Sequence, residues 1–177
     1  DFQCGSSQQA VHLAAAMIAS GQAGMVIAGG VENMSRVPMG SSMVNGNPFT
    51  ADMMQAYDLI PQGLASDEIA QKWGISRADQ DAYALRSQQR AAHAIAGGQL
   101  APELLALPTV AGGAAPLAID EQPRSDTTLV TLAALQPILG EGTSITAGNS
   151  SGINDGACAL LLASETALRR WNLVPRA

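Results

Sequence analysis

With 177 residues, 47% of them hydrophobic, the chain is long enough for one domain, or one domain with a large insertion, around a real core. No apolar run approaches the ~20 residues that cross a bilayer, which argues against a membrane-spanning helix. The formal charge of −6, with Lys72 as the only lysine and arginines that form no dense run, excludes a general nucleic-acid surface.

The sequence starts at Asp1 on what already reads as a strand-to-helix junction, and so reads as a fragment. Cys4, in Gln3-Cys4-Gly5-Ser6-Ser7, stands where a helix over 7–20 begins. Free backbone N–H groups and the positive end of the helix dipole gather at such a position, where they favour a thiolate and donate to an oxyanion beside it. Gly21 is the expected C-cap. Met25-Val26-Ile27-Ala28-Gly29-Gly30 follows as a short buried strand, with a turn at the paired glycines. An unbroken apolar strand beside an Ala-rich helix is what a sheet covered on both faces requires, so the fold class is α/β.

From about 34 to 62 the sequence holds Met, Pro, Gly, Asn and Ser with no period of 2 or 3.6, an excursion from the main fold. Ser66 is the expected cap of a helix that ends at Gly74. Ser76 starts another that runs to Ala96, with Asp79 as the acidic partner of the capping serine. Prolines and glycines break 101–116 into strand or extended loop, and Thr127 to Leu135 reads as a short helix. The loop Gly148-Asn149-Ser150-Ser151-Gly152-Ile153-Asn154-Asp155-Gly156 has too few acids for a calcium site. Its glycines suit tight turns and close contact, and Asn149 is expected to hydrogen-bond the loop. Ala157 to Ala163 reads as a second buried strand and 164–171 as a closing helix.

Cys4 and Cys158 are the only cysteines, too few for a disulfide framework and suited to reduced thiols in an intracellular, cytoplasmic setting. They form no CxxC pattern and only His12 and His93 accompany them, so no metal site is expected. His12 lies eight positions beyond Cys4, roughly 12 Å along a helix, and reads as a packed helix residue. His93 reads as a solvent-facing helix residue, and Cys158 as a buried, inert thiol.

Three separated blocks carry a resemblance. Gln3-Cys4-Gly5-Ser6-Ser7-Gln8-Gln9-Ala10, Val26-Ile27-Ala28-Gly29-Gly30-Val31-Glu32-Asn33-Met34-Ser35 and Thr146-Ala147-Gly148-Asn149-Ser150-Ser151-Gly152-Ile153-Asn154-Asp155-Gly156-Ala157 together closely resemble the thiolase family, and Ile75 to Ala92 is similar to its connecting region. The resemblance implies a layered α/β/α half with an inserted, mainly helical loop domain: 1–36 and 125–177 in the α/β part, 37–124 in the insertion, and the second thiolase half beyond this sequence. It implies an acyl-CoA acyltransferase in which Cys4 carries the acyl group as a thioester and its own backbone N–H contributes to the oxyanion site. It places CoA contacts at Arg124, Thr131, Ala147 and Ser151, and carries over Gly63 alone from Gln62-Gly63-Leu64-Ala65-Ser66-Asp67, where the family often reads Met-Gly-x-Thr-Ala-Glu. It implies CoA and acyl-CoA as substrates, no permanently bound cofactor, and a homodimer or homotetramer.

The family's Gly-His-Pro, Cys-x-Gly and Asn-Glu-Ala segments, which supply the activating residues, do not occur among these residues. Two alternatives stand beside this reading. A ketoacyl-synthase-type condensing enzyme shares a helix-initial cysteine, and a truncated, non-catalytic module would keep only the CoA-facing loop and an assembly surface.

Overall fold

The computed structural model describes residues 2–108 and 116–177; the part of the 101–116 segment at 109–115 lies outside them. The chain forms two compact units, residues 1–48 with 153–177, and residues 49–152.

In the first unit a 3-10 turn, Gln3–Gly5, leads into α1 (Ser6–Ala19). Gly21, at φ +77°, closes α1 by letting the amides of Gln22 and Ala23 reach Met17 O at 3.0 and 3.2 Å. Strand β1 (Met25–Asn33) pairs antiparallel with β2 (Asp155–Ala163), in a register running from Met25 opposite Ala163 to Asn33 opposite Asp155. The chain does not turn at Gly29-Gly30 as the dipeptide suggests, because both glycines serve close packing within the strand. A Cβ on Gly29 would lie 2.5 Å from Cys158 O, and one on Gly30 would lie 1.7 Å from Ser7 Oγ. The bare backbone at Gly30 thus allows α1 to rest directly on the strand.

Among the described residues, Ala14, Ala28 and Ala167 are the buried apolar residues of this unit. The opposite sheet face is open: Ile27, Val31 and Leu161 are 74%, 76% and 57% exposed. Successive strand residues alternate faces, so a sheet of two strands with one helix against it covers one face only, in contrast to the expectation of two covered faces. Helix α6 (Glu165–Trp171) is capped by Ser164, whose hydroxyl accepts from Ala167 N at 3.2 Å and whose amide donates to Gly24 O at 2.8 Å. At the far end of the sheet the Ser35 amide and hydroxyl both donate to the Asp155 carboxylate.

The second unit is mainly helical. Thr50 caps α2 (Ala51–Ala56) inside the stretch that shows no sequence period. Helix α3 (Gln62–Trp73) starts four residues ahead of Ser66: Pro61 sets the entry, and the Ser66 hydroxyl instead donates to Gln62 O at 2.9 Å within the helix. Gly74, at φ +65°, stops it as expected. Helix α4 (Arg77–Ala96) opens with the expected Ser76–Asp79 capping box. After a 3-10 turn at Ala101–Glu103, paired backbone hydrogen bonds join Leu107 and Leu117, and α5 (Leu129–Ala133) begins at a Thr128 cap.

Residues 125–152 belong to this helical unit, whereas the sequence reading groups them with the α/β part. Polar contacts gather them there: Arg77 of α4 donates to Leu132 O at 2.6 Å and Leu135 O at 3.2 Å, and Asp67 of α3 accepts from the Ser144 amide at 2.8 Å. The same segment places Gly148 against Leu132 and Leu135, where a Cβ would come within 2.5 and 2.6 Å. No helix among the described residues is long and apolar enough to cross a membrane.

Candidate functional site

Cys4 sits in the 3-10 turn that feeds α1, and its thiol is free and exposed. Gln3, immediately before it, holds φ +45°, a left-handed conformation that is uncommon outside glycine. The turn is fixed by Gly5 N donating to Phe2 O at 2.9 Å and by the amide of Phe2 donating to Ser6 Oγ at 2.9 Å. A strained residue held by such bonds presents the thiol outward at the entrance of a helix 14 residues long. The arrangement leaves a soft nucleophile accessible at the start of a helix.

His12 is exposed on α1, not packed as the sequence suggests. Cys158, expected to be buried and inert, is exposed too. It stands opposite Gly30 in a sheet with few covering side chains, so its apolar neighbours do not enclose it.

On the helical unit, Arg124, Thr131, Ala147 and Ser151 lie on α5 and the segments that flank it, and Gly63 lies on α3. Arg124 is held by its backbone: its amide donates to Gln88 Oε1 of α4 at 2.8 Å, and the Thr127 hydroxyl donates to its carbonyl at 2.8 Å. Its side chain is exposed. Thr131 is the third residue of α5, and its hydroxyl accepts from the Thr128 amide at 3.0 Å in a reciprocal cap. Ala147 and Ser151 are both exposed on the segment that follows Thr146. Gly63 lies in the first turn of α3, where a Cβ would meet Leu139 Cδ1 at 2.5 Å, so its missing side chain admits that leucine.

The 144–151 segment is fastened from beneath. Thr146 is fully buried and donates its amide to Asn149 Oδ1 at 2.7 Å, while its carbonyl accepts from the Ser150 hydroxyl at 2.7 Å. Asn149 Nδ2 donates to Ser144 O at 3.0 Å and to Asp81 Oδ1 at 3.3 Å, which fulfils the expected loop bond and extends it. Asp81, buried on α4, is gripped by Arg77 Nε at 2.9 Å. Asp67, buried on α3, accepts from the amide and hydroxyl of Ser144 and from Gln71 Nε2 at 3.2 Å. The Ser144 hydroxyl bond, then its amide bond, hold the Asp67 carboxyl below its ordinary range by stabilising the charged form.

Sequence reasoning missed Asp67, Arg77, Asp81 and Ser144 as parts of this region. The available signal was the position of Asp81 in the stripe Asp81, Ala84, Leu85, Gln88, whose spacing marks the inward side of α4. A carboxylate in that stripe demands partners. By contrast, an open groove of about 480 Å³ on α4, lined by Arg86, Gln89, Arg90, His93, Ala94 and Gln99, contains none of the candidate residues. His93 is exposed there, as expected.

Residues 1–166 match the family described as "Thiolase, N-terminal domain". The chain belongs to the thiolase family. The β-ketoadipyl-CoA thiolase of Pseudomonas aeruginosa is 43% identical over 98% of this chain and 47% of its own length. The steroid 3-ketoacyl-CoA thiolase of Mycobacterium tuberculosis is 41% identical over 100% of this chain and 45% of its own. Among solved structures, human mitochondrial 3-ketoacyl-CoA thiolase in complex with CoA superposes with a TM-score of 0.80 at 31% identity, covering 97% of this chain and 45% of that one. This thiolase chain therefore has the α/β thiolase-like fold that its sequence blocks imply, and it spans about half the length of the curated relatives it matches. The matches favour thiolase over a ketoacyl synthase.

Proposed function

We propose that the polypeptide carrying this sequence is an acyl-CoA acyltransferase that cleaves a 3-oxoacyl-CoA with CoA, or runs the reverse condensation, through a thioester on Cys4. The observation that carries this reading is the exposed Cys4 thiol at the entrance of α1, behind the strained Gln3. Its thiolate attacks the 3-carbonyl carbon, and the resulting oxyanion expels C2 by breaking the C2–C3 bond. The departing carbon takes up a proton and leaves as an acyl-CoA two carbons long when C2 is unsubstituted. The shortened acyl group stays on sulfur as a thioester until the thiolate of CoA attacks it, forms the new acyl-CoA and releases Cys4. Backbone N–H groups at the Cys4 turn stabilise the negative oxygen.

In this reading the helical unit is the loop domain inserted into the first thiolase half, and it carries the CoA contacts. Arg124 meets the anionic end of the ligand, Thr131 lies along it, Ala147 and Ser151 face the pantetheine arm, and Gly63 keeps α3 close to Leu139. The proposed assembly is a homodimer or homotetramer in the cytoplasm, where two reduced cysteines are at home.

Incubating the full-length polypeptide with a radiolabelled acyl-CoA and mapping the acylated peptide tests the reading. Label on Cys4 alone, abolished by Cys4→Ser and unaffected by Cys158→Ser, is the expected result. Because both thiols are exposed, label on Cys158, or label that survives Cys4→Ser, overturns the assignment.

A further inference from the structure

Ala147 and Ser151 carry no chemistry that would hold their own segment in shape: one is a methyl group and the other an exposed hydroxyl. The structure places that task below them. Asp67 fixes the start of the segment through two bonds to Ser144, and Gln80 Nε2 adds a third to the Ser144 hydroxyl at 2.9 Å. Asn149 fixes its middle by accepting from Thr146 N and donating to Ser144 O and Asp81, so the segment is tied across itself as well as to α4. Asp81 is in turn held by Arg77, which spans to the Leu132 and Leu135 carbonyls at the end of α5. Two buried carboxylates, on two helices, thus converge on one surface segment.

We infer that Asp67, Asp81 and Asn149 are positioning residues: through Ser144 and the Thr146 turn they fix the shape of 144–151, and so set how tightly the pantetheine arm of CoA is held against Ala147 and Ser151. The inference rests on the CoA-binding reading above and names what makes that surface selective. Asp67 and Asp81 are buried and Asn149 is half-buried, so all three act through the segment and not as ligand contacts. A long, flexible arm loses conformational freedom on binding, so it gains affinity from a surface whose shape is set before it arrives. An adenosine bisphosphate lacks the arm and depends on the cationic contact at Arg124.

The test compares calorimetric binding of CoA with that of adenosine 3′,5′-bisphosphate, in the full-length polypeptide and in its Asn149→Ala, Asp67→Ala and Asp67→Asn variants. Losing the two or three hydrogen bonds that fix the segment is expected to weaken CoA about tenfold in the two alanine variants while bisphosphate affinity stays within about twofold. Asp67→Asn keeps an oxygen that accepts from Ser144 and is expected to restore most of the CoA affinity. Should an alanine variant fail to fold, Ser144→Ala takes its place, since it removes a single hydroxyl from the network. Equal losses for both ligands, or no loss for CoA, overturn the inference while leaving the CoA-binding reading intact. A wild-type chain that binds neither ligand overturns both.

Discussion

Replacing Asp67 with alanine removes the acceptor for three hydrogen bonds in the helical unit: the Ser144 amide at 2.8 Å, the Ser144 hydroxyl, and Gln71 Nε2 at 3.2 Å. Gln71 is exposed and regains water, so its bond counts for little. The two Ser144 bonds are charge-assisted and half-buried; losing them and stranding the amide is expected to cost about 3 kcal/mol. Asp67→Asn retains neutral versions of both bonds and is expected to cost about half as much. Asp67 has a carboxyl pKa depressed by folding, so its charged form contributes stability fully above the unfolded value of about 3.9 and loses that contribution as the pH falls through the lower folded value. Urea unfolding of the wild type and Asp67→Asn at pH 7 and at a series of values from about 5 down to 3 checks both statements. The gap between the two proteins should be constant above pH 5 and narrow below about 4. A gap that widens with acid, or an Asp67→Ala variant as stable as the wild type, would refute the claim that this carboxylate anchors Ser144.

The sheet–helix contact offers a sharper steric test. Gly30→Ala puts a methyl 1.7 Å from Ser7 Oγ and 2.8 Å from Ser7 Cβ, so α1 must shift, and the expected loss is about 1–3 kcal/mol by chemical denaturation; a Ser7→Gly background should recover part of it, and no loss in either background would show that α1 does not rest on Gly30. Thr128→Ala removes the hydroxyl that accepts from Thr131 N at 3.1 Å and is expected to cost about 1 kcal/mol in thermal unfolding, whereas Thr128→Ser should be nearly silent.

Punctuation made the helices of the second unit legible. Ser76 with Asp79, and Gly74 after Trp73, act within a few residues of chain, and the structure uses both as written. Ser66 failed as a cap because a competitor, Pro61, fixes the entry of α3 five residues earlier, leaving the serine hydroxyl to bond back inside the helix. Gly29-Gly30 misled for the opposite reason. A glycine pair signals a turn only when the backbone is not wanted elsewhere, and here the absent side chains make room for Ser7 and for the Cys158 carbonyl. The helix entrance at Cys4 was legible because its whole setting, from Gln3 to Ala10, is contiguous in sequence.

The fastening of the 144–151 segment to α3 and α4 was not legible, since those bonds join residues that lie tens of positions apart: 67 with 144, 80 with 144, 81 with 149. Its physical necessity becomes clear from what the helical unit buries. Ala70 and Leu132 are its buried apolar residues among those described, beside Asp67, Asp81 and Thr146. Two small apolar anchors fix the separation of helices only loosely, because dispersion and apolar burial are non-directional and tolerate sliding. Hydrogen bonds to buried carboxylates do not tolerate it, since each unmet donor or acceptor would carry its full desolvation cost. No described buried side-chain nitrogen or oxygen lacks a partner, so the network is closed in one arrangement and penalises every other. The 144–151 surface segment gains its definite shape from that closure, which apolar packing of this size could not impose.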